Sequence, residues 1–226
     1  MTAAPQSRLR DGARAIAPLS VAAVAFAVSF GVLAEAAGMG ALATTVMSAT
    51  TFAGSAQFAA ASILDDGGGV AAAVTAAVLL NARYAPISIS VAPGFHGSIP
   101  RRLLESQLIV DESWAVSHRG GGRFDRRILL GAGLLLYPCW VAGTLAGAVG
   151  GDLIGDPNEL GLDAAFPALF LALLYPMLRT RRTVAAAVGG AALAVALTPL
   201  APAGIPIVAA ATVCLAGLTK TGTAPA

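Results

Sequence analysis

The strongest constraint in this chain is a series of apolar runs about as long as a bilayer is thick. They lie at about 18–37, 41–64, 70–95, 128–150, 164–178, 183–200 and 204–218, separated by short charged or Gly/Pro-rich breaks. About 20 residues at ~1.5 Å rise cover the hydrocarbon core of a membrane, so runs of this kind read as spanning helices. In lipid the backbone must satisfy its own hydrogen bonds, which leaves only helices and closed barrels. A barrel shows short alternating segments, and these Ala-rich stretches do not alternate. Of the 226 residues only 12% are charged, against about 25% in a soluble domain. The expected fold is all-α: one polytopic integral membrane domain over 1–226, with six to seven hydrophobic segments and one re-entrant or broken element.

Charge placement bears on the path of the chain. The run 18–37 follows Arg8, Arg10 and Arg14 but is longer than the about 7–15 apolar residues of a secretory signal, and more apolar runs follow it. Basic residues in short loops mark the cytoplasmic side. If all seven runs crossed, either orientation would strand basic residues on the wrong face. If instead one run before Asp65 enters and leaves on the same side, every Lys and Arg except Arg83 lies inside, and Asp65, Asp66, Asp152, Asp156, Glu159 and Asp163 lie outside. The run 41–64 is the preferred non-crossing element, because its centre, TTFAGSAQF at 50–58, is unusually polar. This arrangement makes 1–17 a cytoplasmic N-terminal tail and 96–127 a basic cytoplasmic segment. It suits a multi-pass protein of the bacterial inner membrane, with the lipid bilayer as its first partner.

Within 96–127, the stretch from Ser98 to His118 reads as a surface helix. Ser98 serves as cap and Pro100 sits in the first turn; Leu103, Leu104, Leu108 and Trp114 face the bilayer, and Arg101 and Arg102 meet headgroups. A cytoplasmic extension of the adjoining span is the alternative.

The net charge of +2 and the scatter of basic residues over connecting segments argue against a nucleic-acid partner. Cys139 and Cys214 sit in apolar runs without CxxC spacing or a nearby His, so they read as small buried hydrophobes, and no metal or cofactor is expected.

Polar backbone at membrane depth survives only where protein buries it or where it lines a wet cavity, so interruptions of apolar runs point to function. The first interruption holds Thr50, Thr51, Gly54, Ser55 and Gln57; the second is NARYAPISIS at 81–90, with Asn81 and Arg83 near the middle of a run. Pro86 frees a helix carbonyl and disfavours helical geometry at Ala85, which points to a discontinuous helix. Half-helix N-termini attract a carboxylate and unwound carbonyls accept from a cation, so such elements suit a zwitterion. Candidate substrate-binding residues are Ser55, Gln57, Asn81 and Arg83. Arg83 costs about 2.5–3.5 kcal/mol to place at a helix centre and needs a reason: a carboxylate clamp, a gating ion pair, or simply snorkelling or satisfying the carbonyls freed by Pro86. Ser55 and Gln57 also serve well as cross-links between helices. Asp111 and Glu112 are candidates for an inner gate or a coupling proton, the alternative being a solvated pair. Glu35, at the end of the first run, reads as an interfacial carboxylate. Gly143, Gly147 and Gly151 fall four residues apart and present a bare helix face for close packing. Pro138 and the pair Tyr175 and Pro176 suggest kinks or interface anchors.

With those residues in view, the chain resembles the AzlC family. FAGSAQFAA at 52–60, NARYAPISISVAP at 81–93 and LIVDESWAV at 108–116 are similar to that family's motifs in order and spacing, and the likeness extends over about 18–218. The resemblance implies export of branched-chain amino acids jointly with a small membrane subunit of the AzlD type. The sequence departs at Tyr84, where a histidine is common in the family, so the resemblance implies no proton-coupling imidazole at that position.

Other functions fit less well. A membrane hydrolase with Ser55 as nucleophile lacks a base, since His96 and His118 lie at or beyond the end of the third run and AGSAQ is not GxSxG. A substrate-capturing subunit of an ATP-driven transporter fits in size and span number, and energy source separates it from a secondary carrier. The chain is short for a single-chain transporter and shows no internal repeat, so a second chain is expected: another copy, the small subunit, or both.

Overall fold

The computed structural model describes residues 8–65, 67–154, 171, 174, 175, 178–201 and 205–216. Among them the regular structure is helical: α1 Leu9–Ala36, α2 Ala41–Thr51, α3 Gly54–Asp65, α4 Val70–Asn81, α5 Tyr84–Val91 with a 3-10 turn Ala92–Gly94, α6 Ile99–Ser106, α7 Asp111–Ser117, α8 Arg126–Ile154, α9 Arg181–Leu197 and α10 Ile205–Ala216. Among the described residues three stretches are long and apolar enough to cross a membrane: Leu9–Ala36, Val70–Gly94 and Arg126–Gly150. The runs 183–200 and 204–218 appear as helices of 17 and 12 residues, capped at one end by Thr180, whose hydroxyl accepts from the Thr183 amide. The run 164–178, with Pro176, lies almost wholly outside the described residues, as do Asp66, Asp156, Glu159, Asp163 and the side chains of Asp152 and Cys214.

The scaffold is the pair α1 and α8, which pack backbone against backbone. A methyl group added at Gly12, Gly31, Gly131 or Gly147 would overlap main-chain atoms of Ile128, Thr144, Leu9 and Val28 respectively. At Gly143 it would meet Ala27 Cβ at 2.7 Å. In lipid, where apolar burial drives helix association weakly, such close approach supplies the dispersion contacts that hold helices together. Gly143 and Gly147 therefore pack as their spacing implies, while Gly12, Gly31 and Gly131 complete a seam that no regular spacing announced. Leu9 lies beside Gly131, Val24 beside Gly143 and Val28 beside Gly147, so the two helices run parallel. The N-terminal arginines and the 96–127 segment consequently share one end of the bundle.

The run 41–64 doubles back. It leaves the far end of α1, reaches the middle of α8 where the Tyr137 hydroxyl donates to the Ala49 carbonyl at 2.7 Å, and returns so that Ala61 packs on Phe30 and Ala34. Along a straight helix Ser48 and Gln57 would be separated by about 13 Å of rise. Instead the Gln57 amide donates to Ser48 Oγ at 2.7 Å across the bend. From the same far end, α4 descends beside α3, with Leu80 against Ala53 and Ala56, and α5 continues until Val91 and Phe95 pack on Leu129 and Leu130 near the start of α8. Glu35 and Asp65, both exposed, mark the far end.

Two expectations change in the basic segment. The stretch 98–118 forms two short helices instead of one, and only the first is a surface helix: Leu103 and Leu104 are 65% and 76% exposed, with Pro100 in the first turn. Leu108 and Trp114 face protein, packing near Val91 and Leu129, and the Trp114 indole donates to Ser90 Oγ at 2.9 Å. The chain from Leu108 through Val116 is inserted beside α1 and α8, with Val110 joining Ile16, Phe26 and Leu136 in the core.

Candidate functional site

The doubling back at 52–53 leaves helix-end groups that need partners, and side chains from three directions supply them. Phe52 takes the left-handed conformation, φ 43° and ψ 49°, which costs a residue with a Cβ about 1–2 kcal/mol. Its ring is held edge-on against Tyr137 with centroids 5.1 Å apart. The Ala49 and Thr50 carbonyls accept from Gln107 Nε2 at 3.3 and 3.0 Å, and the Ala53 amide donates to Gln57 Oε1 at 3.2 Å. Trp140 Nε1 donates to the same Gln57 oxygen at 3.0 Å, and Ser48 and Thr144 hydroxyls are paired at 2.8 Å. A buried polar network of this kind fixes one geometry because each member lost leaves others unpaired.

The second interruption is gentler than the sequence suggests. Ala82 and Arg83 keep helical dihedrals, Ala85 N bonds Ala82 O at 3.1 Å in a tightened turn, and Pro86 sits in the first turn of α5 where its missing N–H is harmless. The helix tightens here without unwinding, and Ala85 is helical.

The two interruptions meet at a small cavity of about 40 Å³. Its polar side is Ser55, Arg83, Tyr84, Asp111 and Glu112. Its apolar side comes from Leu19, Ala23 and Phe26 of α1, Phe52 and Val110, and Leu136 and Trp140 of α8. Arg83 Nη2 is 2.9 Å from Asp111 Oδ2, with the two side chains 21% and 17% exposed, so the most costly residue in the chain is paired with a carboxylate and does not face acyl chains. Its guanidinium carbon also lies 5.3 Å from the Tyr84 ring centroid. Burial pushes the Asp111 carboxyl above its ordinary range, and the Arg83 charge offsets only part of this. Burial and the Asp111 charge together push Glu112 up to about 7. The pair at 111–112 is therefore not a solvated loop feature but part of the cavity wall.

Of the candidate residues, Ser55, Arg83, Asp111 and Glu112 line one cavity. Gln57 is fully buried behind it, its amide engaged with Ser48, Ala53 and Trp140. Asn81 is outside the lining, its Oδ1 buried without a hydrogen-bond partner, and Ser55 Oγ is likewise unpartnered among the described residues. Trp140, Phe52 and Tyr137 escaped sequence reasoning, for they read as ordinary apolar-run residues. An indole N–H within an apolar run, which needs an acceptor, was the one signal available for Trp140. Both histidines are exposed and neither borders the Ser55 cavity. Cys139 is half-buried and makes no disulfide among the described residues.

Fold and site together define an all-α membrane protein that encloses a small amphipathic cavity between an inserted acidic helix and two interrupted apolar runs. The AzlC protein family matches residues 18–154. An uncharacterized membrane protein of Archaeoglobus fulgidus is 34% identical over 203 residues, covering 86% of each chain. The branched-chain amino acid transport protein AzlC of Bacillus subtilis is 26% identical over 172 residues, 75% of this chain and 67% of that protein. No solved structure matches. The chain belongs to the AzlC family.

Proposed function

We propose that this protein is the large subunit of a secondary transporter that exports branched-chain amino acids across the bacterial inner membrane, working with a small AzlD-type membrane subunit or a second copy of itself. The observation that carries this reading is the cavity wall: one arginine and two carboxylates on one side, an aliphatic and aromatic surface on the other. A branched-chain amino acid offers the matching halves, a zwitterionic head and an apolar tail. The family relationship and the name of the Bacillus subtilis relative support the substrate class.

A cavity of about 40 Å³ holds water and not an amino acid, since ligand pockets are commonly about 300–1,000 Å³. In this reading the Arg83–Asp111 pair is the closed gate. A substrate carboxylate replaces Asp111 on Arg83, its ammonium is received by Asp111 and Glu112, and Ser55 Oγ supplies a hydrogen bond. Asn81 lies at the tightened turn that would widen, and Gln57 holds the opposite wall. Glu112 is the coupling residue, because a carboxyl that titrates near neutral pH exchanges a proton with the cell interior. The parallel α1–α8 pair and the doubled-back 41–64 run agree with a cytoplasmic N-terminus and a re-entrant element.

The test is efflux of radiolabelled leucine or valine from preloaded cells, with the small subunit supplied and a parallel sample uncoupled. Efflux that needs this protein and collapses with the proton gradient is the expected result. Gradient-independent, strictly ATP-dependent movement would turn the chain into a subunit of an ATP-driven system, and unchanged efflux with Arg83→Ala in an assembled protein would end the gating scheme.

A further inference from the structure

Trp114 stands on the inserted helix three residues past Asp111, and its indole is turned inward. Nε1 donates to Ser90 Oγ of α5 at 2.9 Å. Ser90 Oγ in turn donates to the Ile87 carbonyl of its own helix at 2.6 Å, so its one proton is taken and its lone pairs are left for the indole. An indole N–H only donates, so the two groups cannot exchange roles and the bond has a single direction. The ring itself packs near Val91, Phe95, Leu129 and Leu130, and its centroid lies 5.4 Å from that of Phe124.

Helix α7 belongs to the scaffold. Val110 at its start joins the core with Ile16, Phe26 and Leu136, and the Leu108 main chain lies so close to Gly133 of α8 that a methyl group there would overlap it. At its other end the Asp125 amide, just before α8, donates to the Ser117 carbonyl at 2.9 Å. Its buried hydroxyls are used locally: Ser113 Oγ donates to the Leu108 carbonyl at 2.9 Å and accepts from the Val110 amide at 2.9 Å, and Ser117 Oγ donates to the Trp114 carbonyl at 2.8 Å. Attachment of α7 to the α4–α5 helix therefore falls to other side chains. Asp111 reaches Arg83 at 2.9 Å, and Trp114 reaches Ser90. Residues 83 and 90 are seven apart and residues 111 and 114 three apart, spacings that put each pair on one face of its helix. The two ties form a single seam, with an ion pair at the tightened turn and an indole bond two turns further along α5.

The ties differ in what they tolerate. An ion pair shielded from water repays its lost hydration only in good geometry, and a substrate carboxylate or ammonium competes for either member. The indole bond is neutral, and neither Trp114 nor Ser90 lines the cavity, so nothing that enters there competes for it. We infer that Trp114 is a positioning residue of the gate: its N–H on Ser90 keeps α5 seated on α7 at the level where Arg83 meets Asp111, so the closed state of the cavity depends on a bond outside it. This rests on the role proposed above for the Arg83–Asp111 pair.

Two variants remove the bond from opposite sides. Trp114→Phe keeps an aromatic ring beside Phe124 without the N–H, and Ser90→Ala removes the acceptor at a half-buried position. Ser90→Thr retains a hydroxyl. In the full chain carrying Cys139→Ala and Cys214→Ala, a Ser55→Cys reporter measures access to the cavity by its rate of reaction with a small methanethiosulfonate reagent. Both bond-removing variants should raise that rate about fivefold, the worth of one modest hydrogen bond, and Ser90→Thr should return it to the starting value. In leucine efflux without the reporter, both should lower KM about threefold with no gain in kcat, because a less firmly closed gate subtracts less from substrate affinity. Mere loss of packing raises KM instead. If Trp114→Phe fails to assemble, Ser90→Ala reads the same bond alone. An unchanged labelling rate in assembled protein, a rise that Ser90→Thr does not reverse, or a raised KM would each overturn the role of Trp114. Labelling needs no transport, so a faster rate in the variants with no leucine efflux from the wild type would keep Trp114 as the residue that seats Arg83 on Asp111 and reject the transport reading alone.

Discussion

The two interruptions of apolar helix in this protein solve the same problem differently. At 52–53 the chain reverses through a left-handed phenylalanine, and its freed main-chain groups are taken up by Gln57, Gln107 and Tyr137. At 82–83 the helix only tightens, and the outstanding demand is a single charge, Arg83, met by Asp111. One break is secured by a network and the other by a pair. A network has one low-energy arrangement, whereas a pair that shares its cavity with Ser55 Oγ, unpartnered among the described residues, has partners to exchange. Rigidity is the expected behaviour of the first break and movement that of the second.

The comparison breaks first, and by the largest margin, at Gln57. Replacing it with Leu strands the Ala53 amide and the Trp140 indole in a buried site, each worth about 1–3 kcal/mol. The outcome expected is loss of assembled protein by size exclusion in detergent, and a Gln57→Leu protein that assembles and melts normally would show that the network does not secure the bend. Next comes Arg83→Ala, expected to leave assembly nearly intact, because Asp111 can take up a proton, while leucine efflux falls by about tenfold or more. Arg83→Lys should likewise assemble and recover little transport, since a point charge does not replace the guanidinium fork.

The Glu112 carboxyl sharpens the contrast through pH. Its folded value near 7 is raised above that of the unfolded chain, so its contribution to stability is fully present at acid pH and lost as pH rises through about 7. Melting temperature should therefore increase between pH 8 and pH 6, and Glu112→Gln should flatten that slope; a variant as pH-sensitive as the wild type would remove Glu112 from the account. The smallest effect is expected from Tyr137→Phe, which deletes one bond to Ala49 O and should cost about 1 kcal/mol, read as a drop of a few degrees in melting temperature with efflux unchanged at saturating substrate.

Much of the site was legible because charge in lipid is costly enough to advertise itself. Arg83 and Ser55 stood out from apolar surroundings, Asp111 and Glu112 were candidates as adjacent carboxylates in the basic segment, and these four of the six candidate residues line one cavity. Gln57 announced itself by the same logic, yet its amide is engaged by Ser48, Ala53 and Trp140, and sequence cannot say whether a buried amide faces a space or a neighbour. Trp140 and Phe52 were silent, being apolar residues in apolar runs whose placement depends on what lies across the bundle. The Asp-Glu segment looked like solvated loop because its flanking charges are ordinary; its insertion becomes visible only when Val110 meets Leu136.

By itself the sequence determined that the chain is helical, lives in a membrane and interrupts two apolar runs with polar groups, because the absence of water at membrane depth leaves the backbone few choices. Only the tertiary structure decided that α1 and α8 run parallel, that 41–64 turns back at Phe52 on Gln57, Gln107 and Tyr137, and that Arg83 finds Asp111. Those outcomes depend on which glycine faces which carbonyl and which donor reaches which acceptor, contacts between residues far apart in the chain that no local pattern records.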